Sequence, residues 1–139
     1  MARILGVDYG LRRIGLAVSD PTATLAQPLP FLLRRRGKRP PVGTVVELVK
    51  EHGAEAVVVG LPLDSQGEED AWTAEVRTFG DRVGERSGVP VHYIDERFTS
   101  AAAERAVRSL GLSKTERERK ERVDTAAAVL ILQSWLDRR

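Results

Sequence analysis

The fold is decided by the stretch Arg3–Ser19, which reads RILGVDYGLRRIGLAVS. Two short apolar runs inside it, Arg3–Val7 and Ile14–Ser19, predict two β-strands, since each is too short for a helix and is bounded by turn residues. They stand a hairpin's distance apart. Asp8 follows the first run directly, and a carboxylate at the rim of a buried element is costly unless a cation meets it.

Beyond this hairpin the chain alternates between helix and strand signals. Thr24–Leu33 is a third extended segment, which its two prolines confine to a sheet edge because they cannot donate hydrogen bonds to a neighbouring strand. The expected order continues with a helix from Val42 that stops at Gly53, a strand at Ala56–Val59, a helix from Trp72 that ends before Gly88, a strand at Val89–Ile94, a helix around residues 103–110 and a last helix from about Val123 to Asp137. This order predicts an α/β fold, with helices on the faces of a mixed sheet.

Length and composition set the class of protein. The chain has 139 residues, which suits one compact domain over 1–139, and its net charge is only +2. Cysteine is absent, which excludes disulfides, thiolate nucleophiles and zinc–thiolate sites. No apolar run approaches the ~20 residues that cross a bilayer, and the N-terminus is too short for a signal peptide. We therefore expect a cytoplasmic protein with no membrane partner.

Three carboxylates stand at the ends of apolar elements: Asp8, Glu96 and Asp124. Taken singly, each is more often a turn residue, a strand-end charge or a helix cap. Together they are expected to reach one rim of the sheet, because ligands gather at the carboxyl ends of parallel strands. Three converging carboxylates would repel one another, and a divalent metal would relieve that repulsion. Metal, water and phosphate together indicate nuclease chemistry.

Cations and hydroxyls near these acids are candidates for binding nucleic-acid phosphates. We expect this role for Arg12, Arg13, Arg97, Thr99, Ser100 and Lys114. Thr99 and Ser100 are equally well explained as helix caps. The charged segment Lys114–Arg122 is expected to be a short exposed turn of helix or a mobile loop that closes over nucleic acid. The cluster Arg34–Arg39 holds five cations in six residues, and it is either a phosphate-neutralising patch or a solvated loop.

Four blocks of the chain together resemble the YqgF family, also called RuvX. The blocks are Gly6–Ser19, Val58–Leu63, Asp95–Ser100 and Val123–Ala128. The resemblance implies a ribonuclease H-like fold with sheet order 3-2-1-4-5 and strand 2 antiparallel. It also implies a nuclease of structured nucleic acid, associated with the 5′ end of precursor 16S ribosomal RNA and, for some members, with Holliday junctions. The family's acidic site carries over onto Asp8, Glu96 and Asp124.

The expected mechanism is hydrolysis assisted by two Mg²⁺ or Mn²⁺ ions, whose coordination is completed by phosphate when the substrate binds. Asp8 would bridge the two ions, while Glu96 and Asp124 would each hold one. Related resolvases use four carboxylates, and a fourth is not evident here. Asp20 and Asp64 are loop candidates, and alternation along the strand turns Asp95 to the opposite face. Tyr9 is a candidate for stacking on a base, and Gly10 and Gly60 for close approach of the backbone to substrate.

Three other functions remain open. A DNA junction resolvase would need two paired active sites, which an exposed Trp72 or Trp135 at a dimer interface would favour. A nucleotide-binding protein of the actin–sugar-kinase type would need two such halves, and this chain supplies one. A non-catalytic RNA-binding module would keep the fold alone. The expected partners are structured RNA or junction DNA and a ribosomal precursor particle, with the chain as a monomer or weak homodimer.

Overall fold

The computed structural model describes residues 3–34, 37–99 and 114–138, with backbone alone for Phe98 and residues 114–125. Five strands form one sheet: β1 (Arg3–Tyr9), β2 (Arg13–Ser19), β3 (Ala26–Leu33), β4 (Ala54–Leu61) and β5 (Val91–Asp95). Their order is β3-β2-β1-β4-β5. Strand β2 is antiparallel to β1 and β3, whereas β4 is parallel to both β1 and β5. The predicted order 3-2-1-4-5 with an antiparallel strand 2 is confirmed.

Helices cover both faces of this sheet. The described helices are α1 (Val42–His52), α2 (Ala71–Ser87) and α3 (Lys114–Asp137), together with a 3-10 turn at Glu96–Phe98. Helices α1 and α2 pack on one face, and α3 packs across β1, β2, β3 and β4 on the other. Gly53 and Gly88 end α1 and α2 in the left-handed conformation, with φ of 61° and 77°, as predicted for glycine caps. The helix expected around residues 103–110 lies outside the described residues.

Alternation along the strands divides the core into two layers. In β1, Leu5, Val7 and Tyr9 point toward α1 and α2, whereas Ile4 points toward α3. Asp8 falls on the same side as Ile4, because successive side chains leave a strand on opposite faces. The carboxylate of Asp8 therefore lies on the α3 face, near the carboxyl end of β1.

Helix α3 lies unusually close to the sheet. A Cβ added at Gly6 would lie 2.7 Å from Cβ of Leu132, and one added at Gly60 would lie 2.5 Å from Cδ1 of Ile131. The Gln133 side chain also ties α3 to the edge strand, since its Oε1 accepts from the Ala26 amide at 2.9 Å and its Nε2 donates to the Thr24 carbonyl at 3.0 Å. The absence of a side chain at Gly6 in β1 and at Gly60 in β4 thus allows α3 to pack this close to the sheet.

Two predicted boundaries were wrong. Helix α3 begins at Lys114, not at about Val123, so the segment expected to be a short turn or loop is part of the long helix. The reason is propensity: Lys, Arg and Glu are strong helix formers and need no packed face to continue a helix. Strand β1 extends to Tyr9, which puts Asp8 inside the strand, paired with Gly15, and not after its end. Among the described helices, none is both long and apolar enough to cross a membrane.

Candidate active site

Asp8 is held in the sheet near the carboxyl end of β1. It lies opposite Gly15 of β2, and only 4% of its surface is exposed. Val7 pairs with Val59 of β4, and Asp8 and Gly60 are the next residues of these two neighbouring strands. A carboxylate this buried needs a compensating group, and it sits at the strand end where sheets of this type bind ligands.

Glu96 reaches the same side of the sheet from the 3-10 turn that follows β5. It is 6% exposed, and its Oε1 lies 3.0 Å from the position that a Cβ of Gly60 would occupy. Ile131 of α3 lies against the same point of β4. The carboxylate of Glu96 therefore rests over β4, on the α3 face, beside the strand that carries Asp8.

The side chain of Asp124 lies outside the described residues, although its backbone belongs to α3. The next turn of that helix brings the carbonyl oxygen of Ala128 to 3.3 Å from the position of a Cβ at Gly6. Within the side chains that the structure describes, no three His, Asp or Glu residues converge as a metal-binding group. The described part of the candidate site is thus a pair of buried carboxylates with hard oxygen donors, which suit Mg²⁺ or Mn²⁺.

Two of the predicted phosphate-binding cations lie on the β1–β2 hairpin that carries Asp8. Arg12 is exposed in the turn, and Arg13 begins β2 with its guanidinium 5.7 Å from the ring centre of Phe31. The turn is rigid, because the Gly10 amide donates to the Arg13 carbonyl at 3.0 Å and the Arg34 amide donates to the Arg12 carbonyl at 2.7 Å. The backbone of the turn that carries the exposed Arg12 is therefore held by hydrogen bonds.

Arg97, a third predicted phosphate contact, is bound by protein groups. Its Nε lies 3.1 Å from both carboxylate oxygens of Asp95, its Nη2 donates to Asp95 Oδ2 at 2.7 Å, and its Nη1 donates to the Ser65 carbonyl at 3.3 Å. The hydrogen bonds from Arg97 lower the pKa of the Asp95 carboxyl. Sequence reasoning missed this pairing, although the two residues stand two positions apart.

Thr99, one of the two predicted hydroxyl contacts, ends the same turn. Thr99 is buried, and its Oγ1 donates to the Glu96 carbonyl at 2.8 Å. Thr99 therefore closes the turn that carries Glu96. Ser100 and the side chain of Lys114 lie outside the described residues.

The two loop candidates for a fourth carboxylate, Asp20 and Asp64, each hold a local structure, and so does Asp95, which alternation was expected to turn to the opposite face. Asp20 Oδ1 accepts the amides of Thr24 and Leu25, and hydrogen bonds from Leu25, from the Thr22 hydroxyl and from Thr24 lower the pKa of Asp20 to about 2. The other two are tied down as firmly: Asp64 Oδ1 accepts the amides of Gln66 and Glu68, and Asp95 binds Arg97. Their hydrogen bonds give all three carboxylates a structural role.

Tyr9 is a core residue, so the expectation that it stacks on a base was wrong. It is 4% exposed and packs against Trp72, with ring centres 5.4 Å apart, and against Phe79 at 4.4 Å. The Arg34 guanidinium lies 4.6 Å from the ring centre. Burial raises the pKa of Tyr9 to about 12, so the phenol is neutral at physiological pH. Alternation along β1 thus points Tyr9 and Asp8 to opposite faces.

Both glycines expected near substrate have a packing role. A Cβ at Gly10 would lie 2.4 Å from the Arg13 carbonyl oxygen across the hairpin turn. Gly60 leaves space for Ile131 and Glu96, as described above. The two tryptophans are also packed, Trp72 on Tyr9 and Trp135 on His92 with ring centres 5.0 Å apart. Neither tryptophan is among the exposed large hydrophobic residues of the described chain.

Related proteins share most of the length of this chain. A protein of Koribacter versatilis is 43% identical over 137 residues, covering 99% of this chain and 88% of the relative. A protein of Anaplasma marginale is 44% identical over 135 residues, covering 97% and 84%. Both carry the name "Putative pre-16S rRNA nuclease".

Solved structures match the fold. Thermus thermophilus RuvC, in complex with a Holliday junction substrate, superposes with a TM-score of 0.60 at 20% identity, covering 99% of this chain and 96% of that one. RuvC of the same organism gives a TM-score of 0.52 at 17% identity, with coverage of 98% and 95%. These matches confirm the predicted ribonuclease H-like architecture. The RuvX family model, described as Holliday junction resolvase, matches residues 2–138, and the chain is therefore a member of the RuvX family of nucleases.

Proposed function

We propose that this protein is a metal-dependent endonuclease that hydrolyses phosphodiester bonds in structured nucleic acid, with the 5′ end of pre-16S ribosomal RNA as its main substrate. In this proposal the chain acts as a single domain in the cytoplasm, on a ribosomal precursor. The names of the relatives support the RNA substrate, and the family membership supports the nuclease chemistry.

The observation that carries the proposal is the burial of Asp8 and Glu96 on one face of the sheet. Their exposed fractions are 4% and 6%, and they come from β1 and from the turn after β5, on either side of Gly60 of β4. Two buried carboxylates on one face of the sheet repel each other, and a divalent cation relieves that repulsion. A site of this kind is typical of a bound divalent metal.

Asp8, Glu96 and Asp124 would hold the Mg²⁺ or Mn²⁺ ions. Asp124 belongs to this set because it stands one helical turn before Ala128, which lies against β1 at Gly6. When bound, ions at such a site lower the pKa of the attacking water and stabilise the leaving oxygen. The chain must also place the phosphate, and we assign that role to Arg12 and Arg13, on the hairpin that carries Asp8.

Recognition would follow the backbone and shape of the nucleic acid. Aromatic residues make up 5% of the chain, and Tyr9, Trp72 and Trp135 are all used in packing. Lys38 and Arg39 are exposed, and Arg34 is turned inward onto Tyr9 and the Gly10 carbonyl. We assign phosphate contacts to Lys38 and Arg39, the exposed cations among the described residues of the cluster Arg34–Arg39, and also to Ser100 and Lys114.

The test is cleavage of labelled pre-16S RNA and of a four-way DNA junction, with Mn²⁺ or with EDTA. Wild type should cut with Mn²⁺ and not with EDTA. Asp8→Asn and Glu96→Gln should each lower the cleavage rate at least about 10²-fold, because the loss of a ligand weakens metal binding. Glu55→Gln is the control, since Glu55 is an exposed carboxylate at the start of β4, the end of the strand remote from the site. Cleavage by Asp8→Asn at the wild-type rate would refute the proposal.

A junction resolvase is the second candidate, because the family model carries that description. The same assay separates the two. Cleavage of the junction at least about tenfold faster than the RNA, together with a dimer in solution, would replace the ribosomal substrate and leave the assigned site intact.

A further inference from the structure

The guanidinium of Arg97 joins two loops at the rim of the sheet. One partner is Asp95, at the end of β5, with three nitrogen–oxygen contacts of 2.7 to 3.1 Å. The other is the Ser65 carbonyl in the loop between β4 and α2, at 3.3 Å. Gly67 of that loop lies flat against the guanidinium, with its Cβ position 3.1 Å from Nη2.

The β4–α2 loop is built to present this surface. Asp64 Oδ1 accepts the amides of Gln66 and Glu68, and the Asp64 amide donates to the Glu68 carbonyl at 3.1 Å, which closes the loop on itself. Gly67 has φ of +81°, in the left-handed region that favours glycine. The Ser65 carbonyl is therefore held facing Arg97 before any ligand arrives.

The other end of the connection is the turn that carries Glu96. Asp95 Oδ1 accepts the Arg97 amide at 3.0 Å and so caps the 3-10 turn. From the other side, the amide and hydroxyl of Thr99 donate to the Glu96 carbonyl at 3.1 and 2.8 Å. The backbone of Glu96 is thus fixed on both sides, and on one of them through the Asp95–Arg97 pair.

Stability alone does not account for this arrangement. The side chains of Arg97 and Asp95 are 30% and 22% exposed, and ion pairs with this much solvent contribute little to the free energy of folding. A forked guanidinium–carboxylate pair instead fixes orientation. A small displacement of a ligand at a reacting centre raises the activation free energy by far more than such a pair contributes to the free energy of folding.

We propose that Asp95 and Arg97 are positioning residues, which lock the β4–α2 loop to the turn of Glu96 and so hold that carboxylate in place for the metal. The assignment rests on the proposed nuclease function for its catalytic consequence. It also gives Arg97 a role other than the direct phosphate contact that its sequence position suggested. The lock itself, as a link between two loops, is independent of the reaction.

The experiment compares Arg97→Lys and Asp95→Asn with Arg77→Lys. Arg77 is a matched control, because it makes a similar forked pair with Glu69, with contacts of 2.7 and 3.0 Å, and does not touch the Glu96 turn. Hydrogen exchange of the amides at 64–68 and 95–99 tests the lock without metal or substrate. Arg97→Lys and Asp95→Asn should both speed exchange at least about fivefold in the two loops together. Arg77→Lys, whose partner Glu69 lies in the β4–α2 loop, should leave the amides at 95–99 unchanged.

Kinetics then separate positioning from phosphate binding. A positioning role predicts that both substitutions lower kcat by about 10- to 10²-fold and raise the Mn²⁺ concentration for half-maximal cleavage, with KM and the salt dependence of RNA binding unchanged. If Arg97 instead bound phosphate, Arg97→Lys would retain most activity, Arg97→Ala would reduce the salt slope by about one, and Asp95→Asn would tighten RNA binding. That second pattern would overturn the proposal.

The outcomes also separate this inference from the proposed function. Unchanged exchange in Arg97→Lys would refute the lock, even if the enzyme cleaves RNA. If the substitutions speed exchange in both loops but the wild-type protein cuts neither substrate, the lock is retained and the nuclease function is refuted. Gly67→Ala, which adds a Cβ against the guanidinium, is the second variant should Asp95→Asn fail to fold. Backbone strain at Gly67 alone would speed exchange only at 64–68, so the lock predicts faster exchange at 95–99 as well.

Discussion

The two faces of the sheet are built from different residues and do different work. The face under α1 and α2 is filled by large side chains, among them Leu5, Val57 and Phe79. The face under α3 has glycine or alanine at Gly6, Ala17, Ala56 and Gly60. Large residues maximise buried apolar area, whereas small ones allow a helix to approach the backbone closely. Both buried acids of the candidate site lie on the face with small residues, where α3 packs close to the sheet. We infer that this close packing helps to form the site.

Leu5→Ala tests the face under α1 and α2. Leu5 is fully buried, and the substitution should lower the free energy of unfolding by about 2–5 kcal/mol, the usual cost of a core cavity. Denaturant unfolding measures the change. The rise in Tm caused by Mn²⁺ should remain as in wild type, and loss of that rise would show that the two faces are not separable in this way.

The opposite effect is expected at the acids of the α3 face. A ligand that binds only the folded state stabilises it, by about 2.7 kcal/mol at one hundred times its Kd, so saturating Mn²⁺ should raise the Tm of wild type. Asp8→Asn and Glu96→Gln should each remove most of this rise. Differential scanning calorimetry with and without Mn²⁺ measures it, and Glu55→Gln should behave as wild type. An equal rise in all four proteins would place the metal elsewhere.

Two glycine substitutions sharpen the comparison within the α3 face. Gly6→Ala and Gly60→Ala both push a Cβ into α3, at 2.7 Å from Leu132 and 2.5 Å from Ile131, and overpacking of this kind costs about 1–3 kcal/mol. Only the second also meets Glu96, at 3.0 Å from its Oε1. We expect similar losses of stability, measured by thermal unfolding, but weaker Mn²⁺ binding in Gly60→Ala alone. Equal Mn²⁺ affinity in the two variants would contradict the position assigned to Glu96.

The smallest effect concerns a carboxylate away from both faces. Hydrogen bonds to the loop at 22–25 lower the pKa of Asp20 from 3.8 to about 2. The contribution of this carboxylate to stability is therefore complete above pH 4 and is lost as the pH falls toward 2. Wild type should therefore be more stable than Asp20→Asn at pH 5, and the two should converge near pH 2. Paired thermal melts across this range measure the difference. A constant difference would mean that the carboxylate makes these hydrogen bonds equally well when protonated.

Sequence patterns predicted most of the sheet because each relevant signal is local. The apolar runs, the prolines of β3 and the glycines after α1 and α2 all act within a few residues, and the structure confirms each of them. The start of α3 was missed because Lys114–Arg122 has no apolar face, and periodicity cannot detect a helix that propensity sustains.

The site was predicted less completely because partners cannot be read from type alone. Arg97 has the charge of a phosphate contact, and its pairing with Asp95 depends on a 3-10 turn that places two residues side by side. Tyr9 follows an acid at a strand end, but the exact length of β1 decides which face it occupies. That Asp8 and Glu96 share a face rests on the parallel order of β1, β4 and β5, which the chain order favours.

The most direct test of the account is an anomalous difference map from a crystal of the protein soaked in Mn²⁺. The account predicts a peak at direct coordination distance, about 2.1 Å, from carboxylate oxygens of Asp8, Glu96 and Asp124 together. A peak bound elsewhere, or a structure in which Asp124 lies on a different side of the sheet from Asp8 and Glu96, would contradict it.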